Sequence, residues 1–408
     1  MGAYYDLPAI NAALKEWYDG QVVENLAYDE NPLMAMLPKE TNATGKYIPL
    51  PVIYETNQGR SATFSNAQGN QSPALLAEFL LLLKPDYDVA TLANQAMLAS
   101  RDDKGSFLDF ATQYIDIAIQ GCALSAASAL FRAGTGSIGQ ISSITGGGVI
   151  TLTNPADISQ FGINQTLQAS STDGGAPRAA LGYVISRNVQ LGTLTVSSTS
   201  MNGAAGQPSG WTTNDFLLVQ GDSNLKMSGL SAWLPSSPPP APSDNFYGVN
   251  RSPDSRLYGL PYNGAQQPIE EAFIDAAMLV RREKGRPRHI FTNYGSEAAL
   301  IKALGTRREY VDWEGEAEIG FRGTKIQGPA GPIEVFADRN CQAATAYLLQ
   351  LNTWKLYSIN PVPHILTYGD GLDMLRLANA DASETRVAYY ANLGGRAPGW
   401  NSNITLGV

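Results

Sequence analysis

Histidine and cysteine are nearly missing from this chain of 408 residues, which has two of each. His289 and His364 have no cysteine or second histidine at ligand spacing, so both read as structural rather than as metal ligands or acid–base groups. Cys122 and Cys341 lie far apart in sequence, and Cys122 falls on the apolar face of an expected helix. Buried free thiols are therefore expected rather than a disulfide. No H-E-x-x-H, G-x-S-x-G or P-loop pattern occurs. Charge is scarce too: 16% of residues are charged, against about a quarter in ordinary soluble domains. A surface with so few charges suits either extensive cover by partners or one large, well-folded monomer.

No apolar run approaches the roughly 20 residues of a membrane span. The leucine-dense run Ala74 to Leu83 is too short and contains Glu78. Nothing at the N-terminus reads as a signal peptide, so a soluble protein made in a reducing cytoplasm is expected. The net charge of -9 excludes a protein whose main task is to coat nucleic acid, because phosphate binding needs concentrated Lys and Arg.

What is present is one long helical pattern. Ser106 and Asp109 form a capping-box-like start. Phe107, Phe110, Tyr114, Ala118, Cys122 and Leu130 recur near helical spacing until Gly134 and Gly136. A helix over Ser106 to Ala133 spans on the order of 40 Å. Its far end, from Gly121, is rich in Ala and Ser, which lets another backbone approach closely. It is either a beam along the molecule or one core helix of an ordinary domain.

Before it, residues 1 to 44 combine a short amphipathic helix, Pro8 to Tyr18, with a proline-punctuated stretch and read as an arm. Extended segments at Lys46 to Tyr54 and Leu75 to Thr91 flank the polar stretch Glu55 to Ser72. Such a hairpin is not stable alone in water and must lie on something. After the helix, short alternating runs at Val149 to Leu152, Leu181 to Ile185, Thr193 to Val196 and Phe216 to Val219 predict an all-β insertion. The proline-rich loop Pro235 to Pro242 follows. An α/β portion then holds helices at Pro268 to Arg282 and Ser296 to Leu304, with strands at His289 to Thr292, Ile333 to Phe336 and Tyr347 to Leu351.

Two charged clusters invite chemistry. Asp312, Glu314, Glu316 and Glu318 could form a glycosidase pair or cation site, but carboxylate separation is a property of the fold, and a solvated or subunit-contacting loop is the plainer reading. Arg281 to Arg288 holds five basic residues and one acid. It either complements the dipole of its own helix or meets a phosphate or another subunit. Gly146 to Gly148 and Gly174 to Gly175 match no phosphate fingerprint and read as turns.

The order of segments carries a resemblance. Trp17-Tyr18-Asp19-Gly20-Gln21-Val22-Val23 and Asn31-Pro32 come first, and Gly45-Lys46-Tyr47-Ile48-Pro49 leads into the hairpin. The long helix and its β insertion follow. Gly229-Leu230-Ser231-Ala232-Trp233 and Tyr247-Gly248-Val249-Asn250-Arg251-Ser252 come next, and Tyr389-Tyr390-Ala391-Asn392-Leu393 with Pro398 closes the series. In that order the chain resembles, over nearly its whole length, the major capsid proteins of tailed double-stranded DNA phages, of the Hong Kong 97-type fold.

The resemblance implies an α+β fold divided into an N-terminal arm (1–44), an extended-loop hairpin (45–91), a spine helix of a peripheral domain (92–136) and an inserted β domain (137–224). An axial domain with parts of the peripheral sheet (225–370) and C-terminal peripheral strands (371–408) complete it. It implies a structural protein with no catalytic residue, cofactor or metal, which assembles into hexamers and pentamers as an icosahedral head in the host bacterial cytoplasm. Its partners would be copies of itself and non-specifically contacted double-stranded DNA, with scaffolding, portal and decoration proteins as further candidates. Trp17, Tyr54, Arg60 and Phe64 are the expected inter-subunit contacts.

Some members crosslink a loop lysine to an asparagine. Here Glu55 to Ser72 contains no lysine, only Lys46 and Lys84 lie near the hairpin base, and a non-covalent shell is expected. The short arm leaves no room for a cleaved scaffolding segment. Two other classes stay open: an encapsulin-like cargo compartment, and a carbohydrate-active tail enzyme using acids such as Asp312 and Glu316.

Overall fold

The computed structural model describes residues 31–94, 106–305, 309–314, 320–367 and 374–407. The helix at Pro8 to Tyr18 and the capping side chains of Ser106 and Asp109 lie outside what is described.

A fourteen-residue strand, Ala382–Gly395, organises the first sheet. Lys84–Ala93 runs antiparallel to it, from Ala382 opposite Ala93 to Ala391 opposite Lys84. Trp354–Ser358 pairs with its later half, and Lys39–Glu40 joins Trp354–Ser358 in parallel. The long helix, Ser106–Phe131, packs on this sheet. It buries Ile115, Ala118, Ile119, Cys122, Ala126 and Leu130, a stripe at i, i+3 and i+4, in one cluster with Leu92, Val387, Tyr389 and Leu393. The helix is thus both a core element and a beam. Its Ala-rich end admits a close backbone approach: a Cβ at Gly229 would collide with the carbonyls of Ala129 and Leu130. The Gly229 N–H donates to the Arg132 carbonyl at 2.9 Å. Cys122 and Cys341 are both buried and free.

The alternating runs after the helix close into a six-stranded barrel. Its order is Phe216–Val219, Ser137–Thr145, Val149–Leu152, Thr193–Ser197, Gly182–Asn188 and Thr166–Ser170. Phe216 stands opposite both Gln140 and Ser170, which shuts the barrel. Ile141, Ile150, Leu167, Val184, Leu194, Val196 and Trp211 fill it as a separate core.

A seven-stranded mixed sheet forms the third body. In order it holds Leu260–Gly264, Ser402–Leu406, Thr345–Leu349, His289–Thr292, Gly331–Ala337, Gly320–Gly328 and Glu309–Glu314. The helix Ile269–Arg282 buries Ala272, Phe273, Ala276 and Val280 in one cluster with Ile290, Leu348 and Ile404. The second helix, Tyr294–Leu304, begins two residues before Ser296, because the Asn293 side chain caps it by accepting the Ser296 N–H at 2.8 Å.

Candidate functional site

The extended segment at 75–91 is two strands with different partners. Leu75–Leu81 pairs with Ile48–Glu55 in a two-stranded sheet, whereas Lys84–Ala93 leaves it for the long C-terminal strand. The register sets Leu50 opposite Phe79 and Val52 opposite Ala77, so Ile48, Leu50, Val52, Phe79 and Leu81 share the face that packs on the protein's own core. Phe79 lies 5.1 Å from the Trp233 ring. Trp233 also stacks near Phe246, Tyr247 and Trp354, and its indole N–H donates to the Leu393 carbonyl at 2.8 Å.

The opposite face is apolar as well, and it is bare. Ile53 pairs with Leu76 and Pro49 with Leu80. Ile53 is 67% exposed, Leu76 63% and Leu80 41%. A hairpin with one face in water ordinarily alternates apolar with polar residues; this one departs from that rule on the side its own chain does not cover. Burying such a side chain is worth about 1.5–3 kcal/mol.

Beyond the strands, Gln58 and Ser72 exchange backbone hydrogen bonds at 3.1 and 2.8 Å, and the turn Phe64–Gly69 is helical. Among the expected contact residues, Phe64 is 82% exposed, Arg60 is exposed, and Tyr54 is partly buried against the core. Trp17 lies outside the described residues. Of the two lysines at the hairpin base, Lys84 Nζ donates to the Asn224 carbonyl at 3.3 Å and Lys46 Nζ sits 5.1 Å above the Tyr47 ring.

A clamp that spacing could not reveal fixes the hairpin's angle. Arg256 Nη2 bridges Glu55 Oε2 and Asp254 Oδ2, both at 2.6 Å. The hydrogen bond from Arg256 holds the Glu55 carboxyl below its ordinary range.

A second joint lies where residue 31 enters the fold. The Asp338 carboxylate accepts the Asn340 N–H at 2.9 Å, the Asn340 side-chain amide at 3.1 Å and the Leu33 N–H at 3.4 Å. Asn340 also donates to Asn31 at 2.8 Å and accepts from Gln160 of the barrel region at 3.2 Å. The joint thus ties the incoming chain to the seven-stranded body and to the insertion.

Burial raises the Asp338 pKa to about 6, and the hydrogen bonds offset only part of that. Since the folded value lies above the unfolded one, Asp338 binds a proton more tightly when folded. Stability is therefore gained as pH falls through 6 and levels off below the ordinary value. The expected gain is roughly 3 kcal/mol. Denaturation of wild type and Asp338→Asn from pH 8 to 4 measures it. The wild type is expected to gain on the variant across that window, and a pH-independent difference would rule the linkage out.

The acidic cluster is only partly placed. Asp312 and Glu314 lie on the edge strand Glu309–Glu314, while Glu316 and Glu318 lie outside the described residues. His289 is 3.5 Å from Glu334, and burial with the nearby Arg288 charge pushes its pKa down to about 4. Burial lowers His364 also. Among the described residues no three His, Cys, Asp or Glu side chains gather as a metal site, and no helix is long and apolar enough to cross a membrane.

The comparisons with known proteins agree with this geometry. Residues 209–370 match the family model described as SU10 major capsid protein. The capsid asymmetric unit of Cyanophage A-1(L) superposes with a TM-score of 0.53 at 12% identity, covering 93% of each chain. The chain is a major capsid protein of the tailed-phage type. Its fold is the Hong Kong 97-type fold. Lower similarity is found to the capsid of a native GTA particle, with a TM-score of 0.45, 8% identity and 91% and 89% of the two chains covered. The SrpI encapsulin of Synechococcus elongatus gives a TM-score of 0.43, 9% identity and coverage of 92% and 86%. No curated protein matches the sequence.

Proposed function

We propose that this capsid protein assembles into hexamers and pentamers that close an icosahedral head around double-stranded DNA, with no reaction of its own. The observation that carries this reading is the hairpin with two apolar faces. One face is consumed by the subunit's core, and the other, built from Ile53, Leu76 and Leu80, is offered to a neighbour. Tyr54, Arg60 and Phe64 at the hairpin's end, and Trp17 of the arm, would complete contacts across subunits. With no lysine between Glu55 and Ser72, the shell would be held by apolar burial and many small contacts rather than by covalent links.

Particles from a phage lysate test both parts. The reading expects nuclease-protected double-stranded DNA inside, and a denaturing gel on which the shell protein runs as single chains. An enzyme cargo in place of DNA would return the compartment reading, and a covalent ladder would refute the non-covalent shell.

A further inference from the structure

Where the helix Ile269–Arg282 ends, five cations fall within eight residues: Arg281, Arg282, Lys284, Arg286 and Arg288, all exposed, with Glu283 the single acid among them. The helix's own carbonyl end accounts for Arg281 and Arg282, which lie in its last turn. Lys284, Arg286 and Arg288 lie beyond it. None of the five side chains makes an ion pair or hydrogen bond with any described residue. Their backbone is nevertheless held. The Arg286 N–H donates to Gln350 Oε1 at 2.8 Å, and the Arg288 N–H to the Leu349 carbonyl at 3.3 Å. The loop is thus fixed in place with its charges unspent.

Opposite charge is concentrated elsewhere on the same seven-stranded sheet. The edge strand carries Glu309, Asp312 and Glu314, and the sequence continues with Glu316 and Glu318. The pairing registers locate it. His289 stands opposite Glu334, Glu334 opposite Lys325, and Lys325 opposite Glu309. By the same registers Thr292 is level with Asp312, and Glu314 lies two residues further on. The basic loop leads into the beginning of His289–Thr292, so the two charge clusters sit at opposite ends of the sheet, three strands apart. At about 3.3 Å per residue along a strand and about 4.8 Å between strands, one subunit cannot bring them together. Two copies set head to tail can, and repetition of such a heterologous contact closes a ring.

We propose that the basic loop 281–288 of one subunit docks on the acidic strand end at Asp312 and Glu314 of a second copy, so that charge complementarity sets the neighbour's position around each ring. The inference rests on the self-assembly reading above. The chain's net charge of -9 opposes a polyanion such as nucleic acid as the loop's partner, whereas a contact between copies matches each surplus with its complement.

The test is a charge swap in the full chain, reading the fraction of subunits in closed particles by sedimentation, with circular dichroism melts confirming the fold. Arg286→Glu with Arg288→Glu is expected to cut particle yield by about tenfold, as is Asp312→Lys with Glu314→Lys, and all four changes together should restore most of it. Where reversal unfolds the chain, Gln at the two arginines replaces it, with a loss of about threefold expected. The proposal falls if either one-sided variant assembles like wild type, or if the combination does no better than its halves. It falls too if the arginine variant keeps assembly but loses affinity for a duplex DNA fragment. Wild type that never forms particles would instead overturn the self-assembly reading itself.

Discussion

Replacing Ile53 with Lys and Leu76 with Glu should leave a folded subunit that no longer closes shells. The two residues face each other across the hairpin, so the new charges form a favourable cross-strand pair. Both are more than 60% exposed in the subunit, and exposed substitutions away from special features usually change stability by less than about 0.5 kcal/mol. Assembly responds differently. Burying two unneutralised polar side chains where a neighbour expects two aliphatic ones forfeits about 1.5–3 kcal/mol at each position and adds desolvation. Because every subunit repeats the contact, closed particles should fall below detection while the melting profile of the subunit is unchanged. Normal shells from this variant would show that the bare face is not an interface.

Trp233→Ala should do the reverse, damaging the subunit before any question of assembly arises. Trp233 is fully buried, and its ring touches the hairpin through Phe79, the following segment through Phe246 and Tyr247, and the first sheet through Trp354. Removing it leaves a cavity costing about 3–5 kcal/mol and strips the Leu393 carbonyl of its indole donor. Denaturant unfolding of the Ile53→Lys/Leu76→Glu subunit, which stays unassembled, measures this without interference from shells. Trp233→Phe keeps most of the packing and should cost about 1–2 kcal/mol more than the lost volume alone, from the missing hydrogen bond. A loss below about 1 kcal/mol for the alanine variant would mean that the hairpin is anchored elsewhere.

Much of this organisation is legible from local pattern. Ala118, Cys122 and Leu130 mark the buried stripe of the long helix, and the alternating runs at 149–152 and 216–219 coincide with strands of the insertion. The barrel's closure is not legible, since it depends on Phe216–Val219 pairing with two strands at once. The run from Leu75 to Thr91 reads as one strand because Leu75–Leu83 is apolar on both faces, and period-two alternation cannot mark where one partner is exchanged for another. That same loss of alternation is the sequence's trace of a second, external cover.

The joints were beyond reach for a different reason. Arg256 meets Glu55 across 201 residues of chain and Leu33 meets Asp338 across 305. Neither pair has a spacing that sequence could reveal. Asn293 was within reach as a cap, since Asn before a helical run is a start signal. The later Ser296 masked it.

The central claim is that this subunit is built to be covered by copies of itself. Negative-stain electron microscopy of the purified chain after size-exclusion chromatography tests it most directly. The account predicts closed particles tens of nanometres across, absent from the Ile53→Lys/Leu76→Glu variant. A stable monomer that forms no particle, even with phage lysate added, would contradict it.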